Sequence, residues 1–176
     1  LNGDIVADFD IEALRSQYPQ DQDAGSDATI YLLPHVEPGE RGFHPNEEAG
    51  PRRLGPLGDK NETGARQTSS RNFACCYILA PRLIETLPRE GSFCILRQGI
   101  LPRLKQGYAS HFRTHEGVWI DLRNPKIFRE ACLAISHDPD AREALGIDRA
   151  LNLRRQSVRW GIDPANTFAP QAKIAD

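Results

Sequence analysis

The side chains best suited to chemistry lie within 13 residues near the middle of the chain. This segment contains two imidazoles, two carboxylates and two guanidiniums: His111, Arg113, His115, Glu116, Asp121 and Arg123. An imidazole exchanges protons near neutral pH, a carboxylate orients it or binds a metal, and an arginine holds phosphate. Together these groups are typical of a nuclease or phosphohydrolase. The alternative is the exposed polar face of an antiparallel hairpin, which has a similar composition.

A β-hairpin would bring these groups together. Residues 108–114 and 118–123 are predicted strands, joined by His115-Glu116-Gly117. Side chains alternate between the faces of a strand, so a register centred on this turn places His111 opposite Asp121. We expect this carboxylate to orient the imidazole and to favour its protonated form. The predicted catalytic residues are therefore His111, Asp121 and Glu116, and the pattern does not identify a metal.

Charge is distributed unevenly along the 176 residues, whose net charge is −2. Residues 1–64 carry 13 acidic and 5 basic side chains, and residues 65–160 carry 9 acidic and 16 basic ones. This segregation indicates either a basic face shielded by an acidic arm or ordinary pairing within the chain. Arginine accounts for 18 of the 22 basic residues and suits phosphate, although a GC-rich genome produces the same excess. The predicted phosphate or nucleic-acid contacts are Arg71, Arg113, Arg123, Arg155 and Arg159.

Cysteine chemistry provides an alternative. Cys75 or Cys76, followed by His111 and Asp121, has the order of nucleophile, base and orienting acid found in papain-like cysteine hydrolases. Those enzymes place the cysteine at a helix N-terminus, which stabilises the thiolate, whereas FACCYIL predicts a strand. All four cysteines lie among apolar residues without CxxC spacing. This favours free thiols in a reducing, cytoplasmic environment.

The surrounding pattern predicts a single α+β domain over residues 1–176. It has a compact mixed or antiparallel sheet and a C-terminal helical segment. Strands are predicted at 28–33, 73–79 and 92–96, and helices begin after Asp10, Ala80, Asn124, Asp138 and Asp148. Residues 34–71 contain 6 Gly and 5 Pro without periodicity, which predicts a long flexible loop. No apolar run approaches the ~18 residues that a membrane span needs.

Two stretches, RNFACCYILAPRLIETLPREGSFCILRQG and SHFRTHEGVWIDLRNPKIFREA, resemble the Osa family of plasmid fertility-inhibition factors, over about residues 1–170. The resemblance implies a ParB/sulfiredoxin fold and DNase and ATPase activities that inhibit conjugative plasmid or T-DNA transfer. It also implies ATP and a divalent metal as cofactors, and DNA and the conjugation machinery as partners. Residues 39–42 match the Gly-Glu-Arg-Arg box of ParB only in part, and the Gly-Gly-Cys-His-Arg motif of sulfiredoxin is absent. No catalytic residue therefore follows from the family.

The sequence thus supports three functions. The first is a factor that acts on nucleic acid or nucleotides, with nuclease or nucleoside triphosphate hydrolase chemistry. The second is a papain-like cysteine hydrolase or effector. The third is an inhibitor that binds DNA or protein without turnover.

Overall fold

The computed structural model of the chain describes residues 1–36, 40–50, 52–58 and 69–147. Contacts divide the chain into two compact units, residues 1–121 and residues 122–176. The predicted α+β class is confirmed, because small sheets and several helices occur together. The single domain predicted over residues 1–176 stays a prediction.

The described part of the first unit combines short strands with three helices. The strands are β1 (Ile5–Ala7), β2 (Ser26–Leu33), β3 (Phe43–Pro45), β4 (Leu54–Leu57), β5 (Asn72–Leu79), β6 (Ala109–Thr114) and β7 (Trp119–Asp121). The helices are α1 (Ile11–Asp23), α2 (Pro81–Ile84) and α3 (Leu101–Lys105), with a 3-10 turn at Glu47–Ala49 and a π-helical turn at Ile95–Ile100.

A mixed three-stranded sheet, in the order β5-β2-β6, forms the centre of this unit. β2 runs antiparallel to β5, with Ile30 opposite Tyr77, and parallel to β6, with Ile30 opposite Phe112. As the central strand, β2 is buried almost throughout. Ile30 and Leu32 belong to one apolar cluster, and Tyr31 packs with a second one. Burial of each large apolar side chain stabilises the fold by about 1.5–3 kcal/mol.

Several predicted elements are confirmed by local signals. Asp10 caps α1, because its carboxylate accepts a hydrogen bond from the backbone N–H of Ala13 (2.8 Å). Pro81 begins α2, where its missing N–H costs nothing. FACCYIL forms most of β5. The strand predicted at 92–96 is wrong, since a π-helical turn begins at Ile95 and leads into α3, with Pro102 in its first turn.

The predicted hairpin is also wrong, because its two strands belong to different sheets. β6 pairs with β2, whereas β7 pairs with β1. Between them the chain is anchored, because the backbone N–H of His115 donates to the carbonyl of Leu32 (2.8 Å). Gly117 packs so closely on the Asp8 carboxylate that a Cβ there would collide with it. These contacts direct β7 away from β6 and towards β1.

Residues 34–71 contain more structure than their composition predicts. Phe43 and Leu54 are 1% and 3% exposed, and they anchor the antiparallel strands β3 and β4 in the core. The strands were missed because each is only three or four residues long and contains a proline. The flexibility predicted for the stretch as a whole stays a prediction.

The second unit begins with two helices, α4 (Pro125–His137) and α5 (Pro139–Ala144), as predicted. Asn124 and Asp138 cap them by accepting hydrogen bonds from the backbone N–H groups of Ile127 and Ala141, both at 3.0 Å. The helix predicted after Asp148 lies outside the described residues. Among the residues that are described, the helices lack the length and apolar character needed to cross a membrane.

Candidate functional site

Two segments of the first unit converge on the middle of β5. The segment before β1 reaches it through Asn2, whose backbone N–H donates to the carbonyl of Cys75 (3.1 Å). β7 contacts Ala74, the residue before Cys75, through Trp119. The indole N–H of Trp119 donates to the carbonyl of Ala74 (2.9 Å). These bonds fix the N-terminal segment and β7 over the same two residues of β5.

This convergence brings two carboxylates to one place. Asp121 stands opposite Ile5 in the antiparallel pair of β1 and β7, and Asp4 directly precedes Ile5. The pKa of the Cys75 thiol is raised to about 11. Burial is the largest cause, and the negative charges of Asp121 and Asp4 add to it. Both carboxylates therefore act on the same thiol. We refer to Asp4 and Asp121 as the carboxylate pair.

Cys75 itself has an unusual backbone. Its φ is +62°, in the left-handed region that side chains other than glycine rarely adopt. For such a residue this conformation costs roughly 1–2 kcal/mol. The pairing of β2 with β5 shifts register between Ile30 and Leu32, which face this part of β5. The irregularity of β5 thus occurs where the N-terminal segment and β7 contact it.

The carboxylate pair has the donor chemistry for a divalent cation. Asp4 is exposed and Asp121 is half-buried, so at least one carboxylate faces solvent. Carboxylate oxygens are hard donors of the kind that divalent cations such as Mg²⁺ prefer. No cluster of three or more His, Cys, Asp or Glu suited to a metal occurs in the described ranges. Magnesium commonly uses only one or two protein carboxylates and completes its shell with water and substrate phosphate. The pair fits that mode of binding.

A cleft of about 570 Å³ opens at the start of β5. Asn72 and Phe73 line it, three and two residues before Cys75, and Arg41 and Arg97 contribute positive charge. Asn72 donates a side-chain hydrogen bond to Glu40 across this cleft (3.0 Å). We call it the Asn72 cleft. Glu40 lines the cleft as well, so two cations and one anion leave its lining net positive, which suits an anionic ligand.

The structure places His111 in a different environment from the predicted one. It lies on β6 at 6% exposure, and its backbone pairs with Thr29 and Arg53. Burial lowers its pKa, with Arg53 and Arg52 acting in the same direction and Asp21 opposing them. His111 is therefore held neutral. The expectation that Asp121 faces it and favours its protonated form is wrong, because the two residues lie on strands of separate sheets.

Asp21 is the carboxylate that lies near His111, and its contacts hold the fold together. It is 3% exposed and accepts hydrogen bonds from Thr29 (2.9 Å), Gln17 (3.2 Å) and Arg52 (3.2 Å). These bonds tie α1 to β2 and to the segment before β4. A buried carboxylate with three donors is satisfied, so this cluster has a structural role.

The other predicted site residues are dispersed. Glu116 is exposed in the connection between β6 and β7. Arg71 donates to the carbonyls of Pro34, Ser69 and Ser70, at 3.0, 3.3 and 3.3 Å, and so closes a loop.

Arg113 is half-buried beside the hydroxyl of Tyr31. Arg123 belongs to the second unit. Arg155 and Arg159 lie outside the described residues. Whether any of these arginines binds phosphate stays a prediction.

The papain-like interpretation is wrong on geometric and electrostatic grounds. Cys75 and Cys76 lie in the middle of β5 rather than at a helix start. Burial is the largest cause that raises the pKa of both thiols. A nucleophilic cysteine needs a lowered pKa, so these thiols are unsuited to catalysis. All four cysteines are free, as the sequence indicated.

Sequence reasoning missed Asp4, because this residue was counted only as one of the acidic side chains of residues 1–64. The available signal was an acidic residue directly before a short apolar run, Ile5–Ala7. That signal is weak by itself, and only the pairing of β1 with β7 gives it meaning.

Known structures identify the fold. The chain is similar to HddC from Yersinia pseudotuberculosis in complex with GMP-PN (TM-score 0.52, 18% identity, covering 77% of this chain and 53% of that one). It is similar to the UTP-bound UGPase from Acinetobacter baumannii (TM-score 0.56, 16% identity, 85% and 53%). It is also similar to a protein from Bacillus anthracis assigned as a glucose-1-phosphate thymidylyltransferase (TM-score 0.51, 17% identity, 77% and 53%).

The fold is therefore one found in nucleotidyltransferases, and the chain spans about half the length of these structures. No protein-family model and no curated protein sequence matches it. The resemblance to Osa and the ParB/sulfiredoxin fold is a wrong prediction, because the similar structures are nucleotidyltransferases. The inferred inhibition of plasmid transfer and the nuclease activity lose their support with it. The local stretches that suggested the family do not specify how strands pair.

Proposed function

We propose that this chain is the cation- and phosphate-binding part of a nucleotidyltransferase. The observation that carries the proposal is the convergence of Asp4 and Asp121 on Cys75, through the pairing of β1 with β7. Similar structures of the same fold hold GMP-PN or UTP, which supports a nucleotide as ligand. The sequence analysis expected ATP and a divalent metal as cofactors of a DNase and ATPase. The present proposal keeps a nucleotide and a divalent cation as ligands, but assigns them to nucleotidyl transfer.

The chemistry follows from the charges. In nucleotidyl transfer, an acceptor phosphate oxygen attacks the α-phosphorus of a nucleoside triphosphate. A new P–O bond forms, the bond to the β-phosphate oxygen breaks, and pyrophosphate leaves with the electron pair. Asp4 and Asp121 would hold a divalent cation, whose charge stabilises the phosphate oxygens in this step.

The residues of the Asn72 cleft supply the complementary contacts. Arg97 is exposed at the cleft and offers positive charge to phosphate, and Arg41 also lines it. Phe73 offers an aromatic surface and stacks with Tyr77 at a ring distance of 5.7 Å. A sugar or base placed there would lie at the start of β5, the strand whose Cys75 the carboxylate pair acts on.

The test measures cation binding by Mn²⁺ paramagnetic resonance, with and without UTP. We expect Asp4→Asn and Asp121→Asn each to weaken Mn²⁺ binding at least tenfold, because each removes half of the anionic donor set. Asp23→Asn is the matched control, since Asp23 is an exposed carboxylate at the end of α1. Equal Mn²⁺ affinity in the wild type and both site variants would overturn the proposal.

Nucleotide selectivity is measured by calorimetry with UTP, GTP and dTTP in Mg²⁺. Pyrophosphate release is assayed with glucose 1-phosphate as acceptor.

DNA binding stays a prediction, and a duplex DNA titration over a range of salt concentrations tests it, because phosphate contacts weaken as salt rises. Binding of DNA, but of none of the nucleotides, would favour the non-enzymatic alternative.

A further inference from the structure

A second cleft, of about 400 Å³, opens beside the strand β4. β4, α3 and Tyr108, which directly precedes β6, form its walls. We call it the Tyr108 cleft. In the sheet order β5-β2-β6, the cleft adjoins β6, whereas Cys75 and the carboxylate pair adjoin β5. Arg41, Leu57 and Leu101 line both this cleft and the Asn72 cleft, so the two clefts adjoin, whereas Tyr108, Arg53 and Lys105 line the Tyr108 cleft alone.

The Tyr108 cleft is positively charged. Arg41, Arg53 and Lys105 line it, and none of its described lining residues is acidic. In the described part of the chain, no hydrogen bond or ion pair joins the side chain of Arg53 or Lys105 to another group. Two cations without anionic partners at one concave surface attract an anion, and phosphate is the common anion that several donors can share.

The cleft also has an aromatic surface held in a fixed position. Tyr108 is 44% exposed, and the guanidinium of Arg103 lies 3.3 Å from the centre of its ring. Arg103 in turn donates to the fully buried carboxylate of Asp27 (2.6 Å). Because this ion pair fixes the guanidinium, it also fixes the ring that packs on it. An ordered, exposed aromatic ring suits stacking against a flat ligand ring.

The remaining wall is apolar. Leu54, Pro56, Leu101 and Leu104 contribute to it, so the cleft joins an apolar surface to a cationic one. Its volume lies in the range of small-ligand sites, about 300–1,000 Å³. These features require a ligand that carries both a planar ring and a negative charge.

We propose that the Tyr108 cleft binds a nucleoside monophosphate, with the base stacked on Tyr108 and the phosphate held by Arg53 and Lys105. This site is separate from the carboxylate pair and does not require a divalent cation. A free phosphate and an uncharged nucleoside each satisfy only one half of the cleft, and so bind more weakly than the complete molecule.

The test is calorimetric titration with AMP at low salt in the presence of EDTA, beside adenosine, inorganic phosphate and glucose 1-phosphate. We expect AMP to bind more tightly than the other three probes. Tyr108→Ala should weaken AMP binding at least fivefold through lost stacking, whereas Tyr108→Phe should retain it. Lys105→Ala and Arg53→Ala should each weaken AMP binding and flatten its salt dependence.

Arg89→Ala is the control, since Arg89 is exposed and does not line the cleft. Circular dichroism on every variant excludes loss of fold as the cause of lost binding. AMP affinity unchanged in Tyr108→Ala and Lys105→Ala would overturn the proposal, as would the absence of AMP binding to the wild type. Tighter binding of glucose 1-phosphate than of AMP would assign the cleft to sugar phosphates instead. Retained AMP binding in Asp4→Asn would show that AMP binding in this cleft does not depend on the carboxylate pair.

Discussion

Two carboxylate sites in the first unit contrast sharply. Asp27 is fully buried, and it accepts hydrogen bonds from the Nε atoms of Arg82 (2.5 Å) and Arg103 (2.6 Å). Asp4 and Asp121 instead act on the Cys75 thiol, where their negative charges add to burial in raising its pKa. The carboxylate of Asp27 is fully buried between two arginines, whereas the carboxylate pair includes the exposed Asp4.

The two sites therefore differ in their expected roles, since Asp27 stabilises the fold and the carboxylate pair is the proposed ligand site. Burial opposes the ionised form of Asp27, yet the bonds from Arg103 and Arg82 outweigh it and lower the pKa of the carboxyl. A site satisfied in this way has nothing left to offer a ligand, and its loss should damage the fold. An exposed carboxylate such as Asp4 contributes little to stability and remains accessible to a ligand.

The largest expected effect is that of Asp27→Asn. The substitution removes the charge between two arginines, and breaking a buried ion pair from one side typically costs about 3 kcal/mol or more. We therefore expect the free energy of unfolding at pH 7 to fall by about 3 kcal/mol. Urea denaturation measures it, with Asp23→Asn as the exposed control. A loss below about 1 kcal/mol would mean that Asp27 stabilises the fold no more than an exposed carboxylate does, which would contradict the prediction.

The Asp27→Asn variant should also differ from the wild type in how its free energy of unfolding depends on pH. Because folding lowers the pKa of Asp27, its contribution is fully present above the unfolded carboxyl pKa of about 3.9. The contribution is lost as the pH falls through the folded value. The stability difference between wild type and Asp27→Asn should therefore shrink below about pH 4. A constant difference across that range would contradict the assignment.

A smaller and opposite effect is expected for Cys75→Gly. Glycine adopts a φ of +62° without strain, although its unfolded chain is more flexible. The relieved strain outweighs that entropy, and we expect a gain of roughly 0.5–1 kcal/mol in unfolding free energy. Cys76→Gly is the matched control, because Cys76 is 3% exposed in the same strand without a positive φ. It should destabilise the protein. Loss of stability in both variants would show that Cys75 is held by packing rather than strained.

The smallest effect concerns the reactivity of the Cys75 thiol. Burial is the largest cause that raises the pKa of this thiol to about 11, and Asp4→Asn and Asp121→Asn each remove a negative charge that adds to it. We expect both variants to lower that pKa, so that alkylation by iodoacetamide begins at a lower pH. Mass spectrometry follows the reaction in a Cys94→Ser, Cys132→Ser background, which removes the exposed thiols. An unchanged pH profile in either variant would place that carboxylate away from Cys75.

Local signals predicted several elements correctly. An N-cap at Asp10, a proline at the start of α2 and the capped helices after Asn124 and Asp138 depend on contacts within four residues. The apolar run of β5 likewise identifies a buried strand. These features are visible in the sequence because the stabilising partner of each group is a near neighbour in the chain.

Strand partners were not visible in the same way. The alternating residues of 108–114 and 118–123 fit a hairpin. In the structure, however, β6 pairs with β2, and β7 pairs with β1. Adjacent strands usually pair with each other, and that tendency misdirected the site prediction to His111 and Asp121. The short, proline-containing strands β3 and β4 lacked enough residues for a periodic signal.

By itself the sequence determined the α+β class, the helix starts, the buried strand β5 and the lack of disulfide spacing, because propensity, capping and burial act locally. Only the tertiary structure decided that Asp121 meets Asp4 rather than His111. More than a hundred positions separate these two aspartates in the chain. Their approach depends on the pairing of β1 with β7 and on the bonds from Asn2 and Trp119 to β5. Such long-range pairing is set by the total burial and backbone hydrogen bonding of the fold, which no local pattern contains.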